Sequence, residues 1–336
     1  MESFVHLRKG RTPKRVHADL DGLKDDELGR GGFVGRTANM YRRNDPTAYR
    51  TVGPMRPTDV LSSELKPSDQ TDPQGGPLLM FSNADCLVLL SRRSEEMPFF
   101  VRYVDGDLLL FVHKGAGLLE TEFGPLRYRE GDWVYIPKAC TFRQVPDSES
   151  TWLMIQATDD FRVPPAGILG RHFPFDPAQV TIPEPAPIDD DGREEYEVRL
   201  IHEGGPTSLF YQHNPLDVEG WRGDNFPFTF NIEDYTVITS ESVHLPPTVH
   251  LFMQATGVYV MNFLPKPAES VPGTERTPWY HRNVDFDEIA FFHAGSLYGI
   301  PMPPGLVSHA PQGVHHHHSA AGCSSRKYGS RSARHC

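Results

Sequence analysis

The chain has no apolar run long enough to cross a bilayer. Its longest runs are short, as in Cys86–Leu90 and Asp107–Val112, against the roughly 20 residues a spanning helix needs, so no membrane partner is expected. Basic charge is also scarce. Lys and Arg number 33 against 44 Asp and Glu, a formal net charge of −11. Without a dominant basic cluster the chain is a poor match for a phosphate backbone, and no nucleic-acid partner is expected. There are four cysteines, Cys86, Cys140, Cys323 and Cys336. None forms a CxxC pair, which argues against a zinc ribbon or a thioredoxin-type centre. The N-terminal Met1–Lys9 lacks the apolar core of a secretory signal, so a cytoplasmic location is expected.

Chain breakers, by contrast, are abundant, with 31 Pro and 29 Gly among 336 residues. They cannot coexist with many long helices and predict a mainly β, loop-rich protein. Aromatics at 11% and apolar residues at 38% argue against global disorder. Residues 1–80 show weak periodicity and read as short strands with long irregular connections. From 78 to 156 short apolar runs recur about every ten residues, punctuated by Asp105-Gly106-Asp107, Lys114-Gly115, Phe123-Gly124-Pro125 and Glu130-Gly131-Asp132. That spacing predicts about eight strands in a sandwich or small barrel. Ile182–Arg193 is acidic and Pro-rich and reads as a linker. A second β-rich series follows from Tyr196 to Phe292. The expected division is an N-terminal half over 1–180, a second half over 195–318, and a non-native or disordered tail over 319–336. The tail carries four basic residues and no acid, so the body stands at −15.

Histidine is unevenly placed. Eleven of the 16 lie between His202 and His318, four of them in the run His315–His318. Non-haem oxygenases that bind Fe(II) use two imidazoles and one carboxylate on one face of the ion and keep the opposite face open. His281, Glu288 and His315 offer that set. Spacing alone leaves Asp287 as an alternative to Glu288. It also leaves His316 as an alternative to His315, because the unusual run begins there.

Two segments, Asp105–Gly117 and Glu130–Pro137, resemble the consensus segments of a cupin barrel. In the first half only His113 remains of the metal-binding pattern, so that half is expected to be structural and metal-free. The second half is more specific. Asn214–Trp221, His244-Leu245-Pro246-Pro247-Thr248-Val249-His250, Pro278-Trp279-Tyr280-His281-Arg282-Asn283, the acids Asp287-Glu288, and the pair His309 and His315 with five residues between them together resemble the homogentisate 1,2-dioxygenase family over roughly residues 30–318.

The resemblance implies two cupin-like β-barrel or jelly-roll halves. It also implies an Fe(II) cofactor held by His281, Glu288 and His315, and a homo-oligomer. The implied reaction is ring cleavage, with O₂, of a para-dihydroxylated aromatic acid: homogentisate to maleylacetoacetate in tyrosine and phenylalanine catabolism. It places His309 near the substrate, where it is the candidate catalytic group for proton transfer, and makes Tyr280 and His250 candidates for substrate contact. One departure stands out. The family's well-studied branch has a His at the position of Arg222, and a guanidinium cannot relay protons as imidazole does. Arg222 could instead anchor a carboxylate. The departure keeps three other readings open: a gentisate- or hydroquinone-type dioxygenase, a cupin isomerase, and a non-catalytic protein that binds a small aromatic acid.

Overall fold

The computed structural model describes residues 7–30, 36–165, 175–188, 191–235, 237–242, 245, 250–275, 280–297 and 299–316. The expectations for the tail at 319–336 and for His244 lie outside these. Two compact units emerge. One comprises Ser62–Ile238 and Val249–Pro265. The other comprises Met1–Leu61, Thr239–Thr248 and Lys266–Cys336.

The first unit is built on two six-stranded sheets. One runs Phe228–Asn231, Asp132–Ile136, Asp107–Lys114, Ser150–Ala157, Cys86–Arg93, Leu78–Ser82, with antiparallel pairing throughout. The other runs Thr207–Tyr211, Tyr196–Ile201, Phe100–Tyr103, Phe142–Pro146, Gly117–Thr121, Gly124–Tyr128, antiparallel except where Tyr196–Ile201 joins Phe100–Tyr103. Side chains from both fill one core, including Leu108, Leu110, Val134, Ile136, Trp152 and Met154 from the first sheet and Val101, Leu119, Leu126 and Phe142 from the second. Alternation explains the rest of the apolar run at 108–112. Leu108, Leu110 and Val112 point into that core, and the intervening residues take the opposite face. There Phe111 meets Trp133 at 4.9 Å, and Trp133 meets Phe252 at 5.7 Å between ring centroids. A strand buried on both faces reads as a continuous apolar stretch. Gly106 precedes it because a Cβ there would lie 1.6 Å from the Ala157 carbonyl oxygen.

The mainly β expectation holds, but the two-barrel expectation is corrected. Among the described residues no sheet closes into a barrel. Each six-stranded sheet ends on two edge strands. The reason lies in strand pairing. Tyr196–Ile201, Thr207–Tyr211 and Phe228–Asn231, expected to begin a second cupin-like half, instead extend the sheets formed by residues 78–157. An open sheet edge offers unpaired N–H and C=O groups, and these strands satisfy them. What remains of the second half, joined by N-terminal strands, makes sheets of only two or three strands. A closed barrel needs more strands than that.

The second unit holds both three-stranded sheets. Lys24–Gly29 lies between Tyr280–Asn283, which it pairs in parallel, and Thr37–Arg42, which it pairs antiparallel. Leu306–Ala310 lies between Glu288–Phe292 and Thr58–Leu61. Residues 36–61, where short strands with long irregular connections are expected, supply an edge strand to each sheet.

Candidate metal centre

The centre begins at the strand Tyr280–Asn283. Its parallel register sets Glu27 beside His281 and Asp26 beside Tyr280. Side chains alternate along a strand, so His281 and Asn283 share one face while Tyr280 and Arg282 take the other. His281 and Asn283 are buried. A short connection leads to the next strand, Glu288–Phe292. It is tied down by the Val284 N–H, which donates to the Gly29 carbonyl at 3.0 Å, and by the Arg30–Asp285 ion pair at 2.9 Å. The chain then returns after Leu306–Ala310. The turn is closed by the Gly313 N–H donating to the Asn283 carbonyl at 2.7 Å, with Gly313 at φ 75°, where glycine is unstrained. One residue pair completes the arrangement. The His281 N–H donates to the His316 carbonyl at 3.1 Å, and the His316 N–H donates back at 3.0 Å.

His281, Glu288 and His316 converge, with one ligand atom from each lying within 4.8 Å of the others. Glu288 Oε2 is 3.3 Å from His281 Nε2 and 3.3 Å from His316 Nε2. It also accepts from Asn283 Nδ2 at 3.2 Å, which orients the carboxylate. His316 Nδ1–H donates to the Val314 carbonyl at 3.0 Å. That bond fixes the tautomer and turns Nε2 toward the other two ligands, as an outer partner does for a metal-bound imidazole. Burial lowers the pKa of His316. The hydrogen bond and charge of Glu288, helped by the Val314 carbonyl, more than offset it and hold the imidazole above its ordinary value. A metal ion would take the place of that proton. Two imidazoles and a carboxylate fit a transition metal as a donor set and leave positions for exchangeable ligands.

The other sequence-predicted residues fall elsewhere. His315 does not join the cluster: its Nε2 lies 3.2 Å from Asp26 Oδ2, and its carbonyl accepts from the Tyr49 hydroxyl at 2.6 Å. Asp287 also turns away, accepting from the Gln312 N–H at 2.8 Å and meeting His309 Nε2 at 3.1 Å. His309 lies on Leu306–Ala310, opposite Ile289. The Tyr280 hydroxyl donates to Asp45 Oδ2 at 3.2 Å. Burial and the Asp45 charge push its pKa up to about 12. Arg222 is exposed in the other unit. His250 belongs to the same unit but is buried, with its ring 5.0 Å from that of Phe263. Sequence reasoning missed Asn283 as a partner of the carboxylate. Its signal was its place two residues after His281, on the same strand face.

The fold and the cluster define a β-rich protein with a 2-His-1-carboxylate site. Residues 87–232 match the model described as the homogentisate 1,2-dioxygenase N-terminal family. Over 315 residues the chain is 25% identical to "Putative dioxygenase SSO1533" of Saccharolobus solfataricus, covering 88% of this chain and 81% of that one. By these two matches the chain is similar to homogentisate dioxygenase-type proteins. Solved structures it resembles include a cupin-2 domain protein from Shewanella frigidimarina, 17% identical over 24% of this chain and 79% of that one, with a TM-score of 0.23. Another is the Streptomyces nucleoside dehydratase Pac13, 12% identical over 23% of this chain and 63% of that one, with a TM-score of 0.22. Scores this low carry no argument about architecture. No described helix is long and apolar enough to cross a membrane.

Proposed function

We propose that the chain binds Fe(II) through His281, Glu288 and His316, and that it cleaves the ring of a para-dihydroxylated aromatic acid with O₂. Homogentisate is the favoured substrate, with maleylacetoacetate as product, in tyrosine and phenylalanine breakdown. The observation that carries this reading is the convergence of two imidazoles and one carboxylate with their ligand atoms within 4.8 Å. The family model matched by residues 87–232 supports a metal-dependent oxidative chemistry.

When bound, such an ion supplies Lewis acidity toward a phenolic oxygen and open positions for substrate and O₂. The protein's own residues do the rest. Asn283 holds the Glu288 carboxylate in place. The Val314 carbonyl keeps His316 in the tautomer whose Nε2 can ligate. His309, steadied by Asp287 at its Nε2, is the imidazole proposed to take and return the phenolic proton.

Oxygen uptake by the Fe(II)-loaded protein tests the reading, with homogentisate, gentisate and hydroquinone as substrates. The expected result is uptake with homogentisate, accompanied by rising absorbance from the ring-opened enol. Absence of uptake with all three overturns ring cleavage. Uptake confined to gentisate or hydroquinone keeps ring cleavage and changes the substrate.

A further inference from the structure

The run His315–His318 offers neighbouring imidazoles to one metal site, so something must choose among them. Consecutive residues of an extended chain point to opposite faces, and a slip of one residue exchanges those faces. His316 is the residue bridged to His281 through both backbone hydrogen bonds. Directly opposed residues share a face, so His316 falls beside the His281 ring, with centroids 4.1 Å apart. His315 takes the other face of the same edge.

That other face carries a partner for it. Asp26 sits beside Tyr280 in the parallel register and is fully buried. Its Oδ2 accepts from Arg42 Nε and from His315 Nε2. A carboxylate only accepts, so the proton lies on His315 Nε2, which leaves that nitrogen without a lone pair for a metal. The Tyr49 hydroxyl holds the His315 carbonyl as well. His315 is therefore held at its side chain and at its backbone, both on contacts that a one-residue slip would break.

We propose that Asp26, backed by Arg42, is a positioning residue that pins His315 and so selects His316 as the third metal ligand. The inference rests on the metal reading above. Holding a buried carboxylate and an imidazole in one geometry has no evident purpose on a bare surface strand. Beside a ligand run it specifies register, which is the best-attested use of buried polar pairs.

The test is Co(II) titration of the metal-free full chain, read by the visible absorption of the bound ion. His315→Gln is expected to keep the wild-type spectrum and an affinity within about threefold. His316→Gln is expected to lose binding. Asp26→Asn is expected to weaken binding by about 10- to 100-fold, the usual cost of losing an outer partner. Its spectrum should become a mixture as His315 is freed to compete. Adding His315→Gln to Asp26→Asn removes the competitor and should return a single spectrum. A structural role alone would not produce that rescue. Thermal melting of each metal-free variant checks the fold, and His315→Gln keeps the test decisive if Asp26→Asn is unstable. The inference alone is overturned if His315→Gln loses cobalt as His316→Gln does, or if Asp26→Asn matches wild type in affinity and spectrum. A wild-type chain that binds no Co(II) overturns both this inference and the metal reading.

Discussion

Glu288→Gln separates the metal reading from a purely structural one. Glu288 Oε2 meets His281 Nε2 and His316 Nε2, each at 3.3 Å, and Asn283 Nδ2 at 3.2 Å. The amide keeps the shape and can still accept from Asn283, but it removes the only charge among the three ligands. Losing an outer partner of a metal ligand costs about 10- to 100-fold in affinity, so losing a ligand should cost about 100-fold or more. At a metal concentration 100 times the wild-type Kd, binding stabilises the folded chain by about 2.7 kcal/mol. A 100-fold weaker site retains only about 0.4 kcal/mol of that. The missing ~2.3 kcal/mol corresponds to a loss of about 3 °C in the metal-induced rise of Tm for a chain of this size. The metal-free variant should show a second change. Without the hydrogen bond and charge of Glu288, the burial of His316 is opposed only by the Val314 carbonyl, so the imidazole pKa falls from its raised value. The assays are melting with and without Co(II) and NMR titration of His316. An unchanged metal-induced Tm rise in Glu288→Gln would refute the reasoning, whatever the catalytic rate.

Asp287→Asn should leave cobalt affinity within about threefold, because Asp287 faces His309 and the Gln312 N–H and not the cluster; a loss matching that of Glu288→Gln would move the ligand by one residue. Glu275→Gln tests buried charge. Burial, then the neighbouring Asp25, raise the Glu275 pKa to about 7, so the folded chain holds a proton that the unfolded chain releases near pH 4.5. Stability is then greatest below pH 4.5 and is lost as pH rises through 7. After discounting for partial exposure, Glu275→Gln should add about 1–2 kcal/mol at pH 8 and nothing at pH 4; an equal effect at both pH values in denaturant melts would count against this. Leu110→Ala, in the packed core between the six-stranded sheets, should cost about 2–5 kcal/mol in the same assay, and a cost under about 1 kcal/mol would show that this core is not closely packed.

The first half's strands were legible in the sequence because each was a short apolar run bounded by turn residues. Cys86–Arg93, Asp107–Lys114 and Asp132–Ile136 all fall where the apolar runs lie. What it could not show was where later strands would pair. Nothing local in Tyr196–Ile201 says that it will run parallel to Phe100–Tyr103, a partner about a hundred residues away. A barrel and an extended sheet use the same alternation, and the choice between them is made by edge pairing. The N-terminal strands were hidden for a related reason. Lys24–Gly29 carries three consecutive acids, Asp25, Asp26 and Glu27, all buried in the fold. Buried acids of this kind are paired, as His17 pairs Asp25 at 2.8 Å and Arg42 pairs Asp26. Hydropathy cannot distinguish such a strand from a solvated loop.

The site shows the same limit on a finer scale. Residue type and order pointed to His281 and Glu288, and the structure brings those two together. The choice between His315 and His316 turned on the parity of one strand edge. Counting from His309 gives a spacing but no face. The face is set by the reciprocal bridge to His281 and by an acid 289 residues earlier in the chain. Asp26 could be recognised as relevant only once the parallel register had placed it beside Tyr280. The proposed ligand set is therefore nearly complete in the sequence, while its last member depends on a residue with no motif of its own. The same logic predicts which substitutions near such a run are harmless. Those that keep the parity of His316 should preserve the cluster, and deletion of Val314 should rebuild it with a different histidine. The deletion would bring residue 317, also histidine, to the bridge position but would put His316 against Asp26. It would thereby exchange one ligand for another while keeping the acid occupied.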